Sequence, residues 1–557
     1  MLTVRTGLDA YHDLRTFRRA VSTNANPFGS YREDQVKFHE LNLNARISYQ
    51  SDLGETWRYT LVGGMNRFDQ RTRYQYSQAS QLAIPGIYTL ANSRTPLVGN
   101  SEIYQRRINS VFASGNLAMH NTLYLDMTFR NDWSSTLPAD QNSFGYYSAG
   151  MSYILSNQWE LPSWLTYLKL RMSAASVGND TDPYQTVQNF LFNQNYDNDF
   201  KVTNETVLKN SNLKPERLNA LEAGWEVWLW EDRLQADLAV YQNVSIDQII
   251  SRPISAAGGF QNYIVNGGEV RTRGMELLLG GLAVRNDRFS WNTTATFTTS
   301  TSVVTRLPGG VDQFVTATSK IFDGGGGSNT VFFIARENGR VGDMYGTGFM
   351  EVDGQVVYGS NGLPIQDGRL RLLGNYNPDF MLGWQNEFTC RNLSFRMLMD
   401  WRQGGTIVSR TRAIASTSGV LKETLVGREN GIVGEGIVNV GTTENPEYVP
   451  NTTVVSAGEF YNNFYDRGNE ASALYDATYV KLREMSVYYH FPARIVQRWG
   501  MEGLSLGLVG RNLLLWTENP HFDPELNAFE VRDIVYGVED ISYPSSRSFG
   551  ISLKTQF

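Results

Sequence analysis

The sequence predicts an all-β protein, an antiparallel transmembrane β-barrel of about sixteen strands. Three observations point there. Side chains alternate apolar and polar from end to end. The joins between alternating segments are either very short or very long. The chain closes on an aromatic residue at the end of an alternating segment.

Alternation matters because successive side chains of a strand point to opposite faces. Leu41, Leu43, Ala45, Ile47 and Tyr49 alternate with Asn42, Asn44, Arg46 and Ser48. Leu123, Leu125, Met127 and Phe129 alternate with Tyr124, Asp126, Thr128 and Arg130. Leu168, Leu170, Met172 and Ala174 alternate with Lys169, Arg171 and Ser173. Leu234, Ala236, Leu238 and Val240 alternate with Gln235 and Asp237. Leu393, Phe395, Met397, Met399 and Trp401 alternate with Ser394, Arg396, Asp400 and Arg402, with Leu398 as the exception.

A soluble sandwich gives the same pattern with its apolar face inward. Three features favour the inverted, membrane arrangement. Segments of about ten residues suit a tilted membrane strand. The polar faces carry Arg, Asp and Asn, as a water-filled lumen does. Aromatic residues gather at segment ends, in Trp225-Glu226-Val227-Trp228-Leu229-Trp230 and Tyr488-Tyr489-His490-Phe491, as interfacial girdles do. Val480 and Leu482 share one parity, but Met485, Val487 and Tyr489 take the other. That requires one extra residue, a β-bulge, near Arg483-Glu484.

The joins sort by length. Trp230-Glu231-Asp232-Arg233, Arg285-Asn286-Asp287-Arg288 and Thr389-Cys390-Arg391-Asn392 are tight polar turns of the periplasmic kind. Gly-, Asn- and Pro-rich stretches over roughly 178–216, 304–376 and 405–475 read as extracellular loops, where function concentrates. Tyr461, Asn462, Phe464 and Tyr465 in the last stretch, with Asn463 among them, are candidate ligand-contacting residues. Aromatic rings beside amides suit stacking and hydrogen bonding to a sugar or peptide. Packing against other loops or a partner is the competing, more ordinary reading.

Phe549, Ile551, Leu553, Thr555 and Phe557 form one face of the closing segment. A soluble domain more often ends in a frayed polar tail. In outer-membrane barrels this pattern resembles the C-terminal signal read by the barrel-assembly machinery. Phe549, Ile551, Leu553 and Phe557 are assigned that role.

Composition excludes several classes. The net charge of −7 over 557 residues argues against a nucleic-acid footprint. Cys390 is the only cysteine, so no intrachain disulfide exists. Five histidines leave little for a zinc site. Mean hydropathy is −0.34, and no run approaches the ~20 apolar residues of a membrane helix. A membrane barrel hides its apolar character in alternate residues, so this excludes nothing about strands. Met1-Leu2-Thr3-Val4-Arg5 lacks the regions of a signal peptide. An exported chain needs one, so this chain is expected to derive from a longer protein.

Enzyme chemistry is not expected. Gly324-Gly325-Gly326-Gly327 lacks the Lys-Ser/Thr of a phosphate-binding loop and reads as a flexible loop. No nucleophile–histidine arrangement stands out. Asp523 and Glu525 flank Pro524 and could bind a cation, with a solvated turn as the simpler reading. Asn179-Asp180-Thr181-Asp182 hints at a calcium loop but lacks the full spacing, and reads as a polar turn. No catalytic residue, cofactor or metal site is assigned.

Six segments, in order, resemble the SusC/RagA-like TonB-dependent receptors of Bacteroidetes. Arg130-Asn131-Asp132-Trp133-Ser134-Ser135 resembles that family's RxDGSS, with Trp133 in place of Gly. Asn212-Leu213-Lys214-Pro215-Glu216-Arg217, running into Leu221-Glu222-Ala223-Gly224-Trp225-Glu226, is similar to its NLKPE…ExG. Asn266-Gly267-Gly268-Glu269 through Arg273-Gly274-Met275-Glu276-Leu277 resembles its NxGxEL strand. Leu373-Gly374-Asn375-Tyr376-Asn377-Pro378-Asp379-Phe380 is similar to LGNxxPDF. Ala477-Thr478-Tyr479-Val480-Lys481-Leu482-Arg483-Glu484 resembles ASYxRLRN. Gly510-Arg511-Asn512-Leu513, with Asp523-Pro524-Glu525 beyond it, is similar to the family's GxNL and DPE.

The resemblance implies outer-membrane import of oligosaccharides or peptides in a Gram-negative bacterium. It implies a SusD-like surface lipoprotein as lid, and TonB-ExbB-ExbD as the energy source acting through an N-terminal part. Outer-membrane lipid and the barrel-assembly machinery are the other partners. Plugged transporters have about 22 strands. Residues 1–557 are therefore expected to be the C-terminal portion of such a barrel, incomplete, with plug and signal peptide elsewhere. The alternatives are a soluble all-β carbohydrate-binding or hydrolysing protein, and an ungated porin or adhesin.

Overall fold

The computed structural model describes residues 1–23, 26–196, 199–309, 311–319, 331–465, 469–530 and 533–557. The Gly324–Gly327 run lies outside them. Sixteen strands form one hydrogen-bonded sheet in chain order. They are β1 Leu2–Arg19, β2 Ser30–Leu53, β3 Trp57–Ala79, β4 Val98–Met119, β5 Leu123–Ser134, β6 Ser143–Ile154, β7 Leu165–Asn179 and β8 Glu216–Leu229. There follow β9 Leu234–Ile246, β10 Glu269–Arg285, β11 Phe289–Arg306, β12 Phe380–Cys390, β13 Leu393–Gln403, β14 Tyr479–His490, β15 Gly503–Thr517 and β16 Ser548–Gln556. Among the described residues no helix is long and apolar enough to cross a membrane.

The chain divides into two compact units. Unit 1 holds Met1–Asn157, Arg171–Leu221 and Ser245–Gly267; unit 2 holds Gln158–Leu170, Glu222–Val244 and Gly268–Phe557.

In unit 1 the antiparallel register aligns Ile47, Gly63, Ala113, Phe129 and Tyr147 across β2 to β6. The apolar parity is exposed: Ile47, Met65, Met127 and Tyr147 each keep more than half of their surface accessible. A soluble sandwich would bury these residues. The opposite parity is polar and internally paired. Arg32 donates to Asp34 at 2.5 Å and to the Tyr74 hydroxyl at 2.5 Å. Arg130 donates to Asp132 and to Ser110, both at 2.8 Å. β2 to β4 are 24, 23 and 22 residues long, twice what a membrane strand needs. Their apolar parity ends halfway, and beyond it the same face is mostly polar, with Lys37, His39, Arg71, Arg73 and Gln105.

Two family-like segments act as staples in this unit. Asp180 is buried, where a polar turn was expected; Arg106 and the hydroxyls of Ser134 and Thr136 converge on it. Leu213 is fully buried with Leu137, Phe144 and Ile264. The Lys214 amide donates to the Asn266 side chain at 2.8 Å, and Asn266 donates back to the Lys214 carbonyl at 2.7 Å.

In unit 2 the same exposed parity continues on Leu506 and Leu508 of β15 and on Phe549, Ile551 and Leu553 of β16. Trp230, Glu231 and Asp232 take left-handed backbone in the β8–β9 turn, and Arg391 does so between β12 and β13. Leu398 and Met399 of β13 face Glu484 and Leu482 of β14, so Arg483 is the extra residue of a bulge. This is where the change of parity placed it.

Candidate functional site

The long joins of unit 2 do not behave as loops. Three excursions leave the sheet: between β11 and β12, between β13 and β14, and between β15 and β16. The first builds a four-stranded sheet from Gln313–Ser319, Val331–Arg336, Asp343–Phe349 and Gln366–Asn375. Thr406–Ser409 pairs with Leu474–Asp476 and with Val538–Glu539, joining the second excursion to the third. Their apolar residues meet in one core: Val331, Met344, Leu373, Val408, Ala413, Ala473, Ala528 and Val538. The excursions thus form a cap. Gly374 is one reason it closes. Its φ is +149° and a Cβ there would collide with Thr406, so only glycine lets the strands approach.

Two short helices line one cavity of the cap. α1, Arg410–Thr417, starts at Ser409, whose hydroxyl accepts from the Arg412 amide. Glu539 is buried at this helix start, accepting from Ser409 at 2.8 Å and Thr411 at 2.5 Å. An anion there also suits the helix dipole. α2, Ala457–Phe464, starts with a capping box in which Ser456 and Glu459 bond reciprocally. The Ser456 hydrogen bonds hold the Glu459 carboxyl below its ordinary value. Between them lies a cavity of about 670 Å³, lined among others by Arg410, Ile414, Thr417, Asn462, Asn463 and Tyr465.

The four candidate residues part company here. Asn462 and Tyr465 line the cavity. Tyr461 donates its hydroxyl to the Glu423 carbonyl at 2.6 Å. Phe464 stacks on Phe460 and packs against Phe349. Arg412 sits 5.3 Å from the Tyr465 ring and 4.8 Å from the Tyr475 ring. Burial pushes the Tyr475 hydroxyl up to about 12 and the Tyr465 hydroxyl in the same direction. Both stay neutral and able to donate. The sequence reading missed the α1 side of the cavity. It also missed the helix of α2, although Ser456-Ala457-Gly458-Glu459 before Phe460 carries the capping-box signal.

The cap is tied to its strands by charge. Lys481 of β14, almost wholly buried, donates to Asp523 at 2.6 and 2.7 Å and pairs with Glu525. Arg483, the bulge residue, pairs with Glu525 and with Asp400 of β13. Burial pushes the Glu525 carboxyl up, but the bonds from Arg483 and Lys481 outweigh it and hold it at about 2. Asp523 and Glu525 are therefore neither a cation site nor a solvated turn; protein cations neutralise them. Among the described residues no group of acidic, His or Cys side chains could hold a metal.

The family model for the β-barrel of TonB-dependent-receptor-like proteins matches residues 2–405. The chain belongs to this family. A TonB-dependent receptor of Formosa agariphila is 26% identical over 551 residues, covering 93% of this chain and 53% of that protein. A second from the same organism is 24% identical over 488 residues, covering 82% and 46%. The chain thus spans about half the length of these TonB-dependent receptors. The RagAB peptide transporter structure matches all of this chain and 60% of its own, with a TM-score of 0.78 at 19% identity. It shares the fold, as the SusC/RagA-like motifs implied. TonB-dependent receptors of this kind are outer-membrane proteins of Gram-negative bacteria, the location that the exposed apolar parity requires.

Proposed function

We propose that the chain is the C-terminal majority of the wall, with part of the extracellular cap, of a SusC/RagA-like importer of peptides or oligosaccharides. Plug and remaining strands belong to the longer protein. TonB-ExbB-ExbD drives it through that other part, and a SusD-like surface lipoprotein covers it. The observation carrying the ligand reading is the cap cavity, where amides, a tyrosine and Arg410 face one space of about 670 Å³. That volume and mixture suit a short oligomer. The fold shared with the RagAB peptide transporter makes peptides the first class to test.

Detergent-purified chain is titrated with mixed short peptides and with oligosaccharides, following heat. Peptide binding that Asn462→Ala and Tyr465→Ala each weaken about tenfold is the expected result. Oligosaccharide binding with the same sensitivity selects the other substrate class. Binding insensitive to both substitutions overturns the cavity as the site.

A further inference from the structure

On the apolar parity of β2 to β5, register pairs step along the strands in order. Leu43, Arg67, Asn109 and Trp133 share one row, and Leu53, Trp57, Met119 and Leu123 share another ten residues away. Ten residues rise about 33 Å along a strand, or about 25 Å across a membrane at the usual tilt. The rows between them hold Ala45, Met65, Val111, Ile47, Phe129, Leu61, Met127, Leu117 and Leu125, an apolar band of the right height. Aromatics mark both margins: Trp133 at one, Trp57 at the other. Trp57 lies by the short β2–β3 turn. Trp133 is at the long-join end, facing outward from the cell.

Beyond the Trp133 margin, on the same face, the residues turn basic. Leu41 faces Asp69, and Asp69 faces Arg107. In the next rows His39 faces Arg71, and Lys37 faces Arg73. Arg67 and Arg107 both pair with Asp69. Lys37, His39, Arg71 and Arg73 are exposed and have no hydrogen bond or ion pair among the described residues. Like charges directly opposite one another oppose strand pairing. Lys37 opposite Arg73 is such a row, and Arg71 lies in the row beside it; in a protein of net charge −7 an external anion would favour this cluster.

We propose that Lys37, Arg67, Arg71, Arg73 and Arg107 bind the phosphorylated headgroup of an outer-leaflet lipid. The cluster lies where such a headgroup lies, just past the apolar band and its marginal tryptophan. Arginine offers paired donors to phosphate oxygens, and the lipid's acyl chains would run down the exposed band. The inference rests on the membrane reading of that band.

The test uses the full chain in detergent, with native mass spectrometry and thermal melting. The probes are bisphosphoryl lipid A, dephosphorylated lipid A, phosphatidylglycerol and inorganic phosphate. Bisphosphoryl lipid A should be retained and raise the melting temperature. Arg71→Gln with Arg73→Gln should cut that retention about tenfold and abolish the lipid-dependent rise. The same variant should melt no lower than the parent in lipid-free detergent, since it removes repulsion. Arg285→Gln with Arg288→Gln, at the short-turn end, should retain lipid A fully. Equal retention by parent and Arg71/Arg73 variant overturns the proposal, as does equal retention of dephosphorylated lipid A. Saturation by inorganic phosphate without lipid overturns the lipid source. Failure to retain any of the lipids, with a monodisperse chain in detergent-free buffer, sinks the membrane reading itself.

Discussion

In the sheet strands Leu508, Phe549 and Ile551 each expose more than 60% of their surface, while in the cap Val331, Val408 and Val538 are fully buried. Both regions are built largely of strands, yet they bury opposite things. The sheet pairs its polar groups with each other and leaves apolar side chains to lipid. The cap packs apolar side chains together and leaves polar ones to water. Solvent, not composition, decides which face is the core. The ion cluster around Lys481 is where one regime gives way to the other.

That comparison breaks most readily at the cluster. Lys481→Ala leaves Asp523 buried without its cation, and should cost about 3–5 kcal/mol in urea unfolding in detergent. Lys481→Met with Asp523→Leu should recover most of it. A single-variant cost below about 1 kcal/mol would mean the cluster anchors nothing. Acid probes the same contact. The Glu525 carboxyl lies at about 2 in the folded protein against an ordinary 4.5. Its stabilisation is complete above about pH 4.5 and is lost as pH falls toward 2. Glu525→Gln should flatten melting temperature across that window.

The two solvents separate next. Met344→Ala opens a hole in the cap core and should cost about 2–5 kcal/mol, seen as protease cleavage of the excursions. Heat-modifiable migration of the sheet should be unchanged. Met127→Arg does the reverse: about 2–4 kcal/mol in bilayers if Met127 lies near mid-membrane, with the cap still protected. Uncoupled losses sharpen the comparison, and a joint loss would show a single cooperative body. Smallest is Ser456→Ala, which removes the α2 cap and should cost about 1 kcal/mol, visible only in cap proteolysis.

The sheet was legible because each strand carries its own period. Leu123 to Arg130 needs no knowledge of its neighbours to be read. The Arg483 bulge was legible for the same reason, as a slip of parity within one segment. The cap was not. Val331, Val408 and Val538 come from three excursions, and nothing local in any of them announces the others. Asp523 and Glu525 looked like a free acidic pair because their cations lie about forty residues earlier in the chain. The candidate loop was half legible in its placement: Tyr461, Asn462, Phe464 and Tyr465 fall on one helix or its end. Helical spacing then sends Asn462 and Tyr465 to the cavity and Phe464 to a packing contact.

The three-part origin of the cap core also sets an order of events. Val331 and Val538 are separated by most of unit 2, with β12 to β15 between them. Contacts so distant in sequence form late, because chain entropy must first be given up elsewhere. Pairing of β11 through β16 supplies that closure hairpin by hairpin. The cap can therefore set only after its hairpins have zipped, and a protease-resistant cap is a clock that reports completed assembly beneath it.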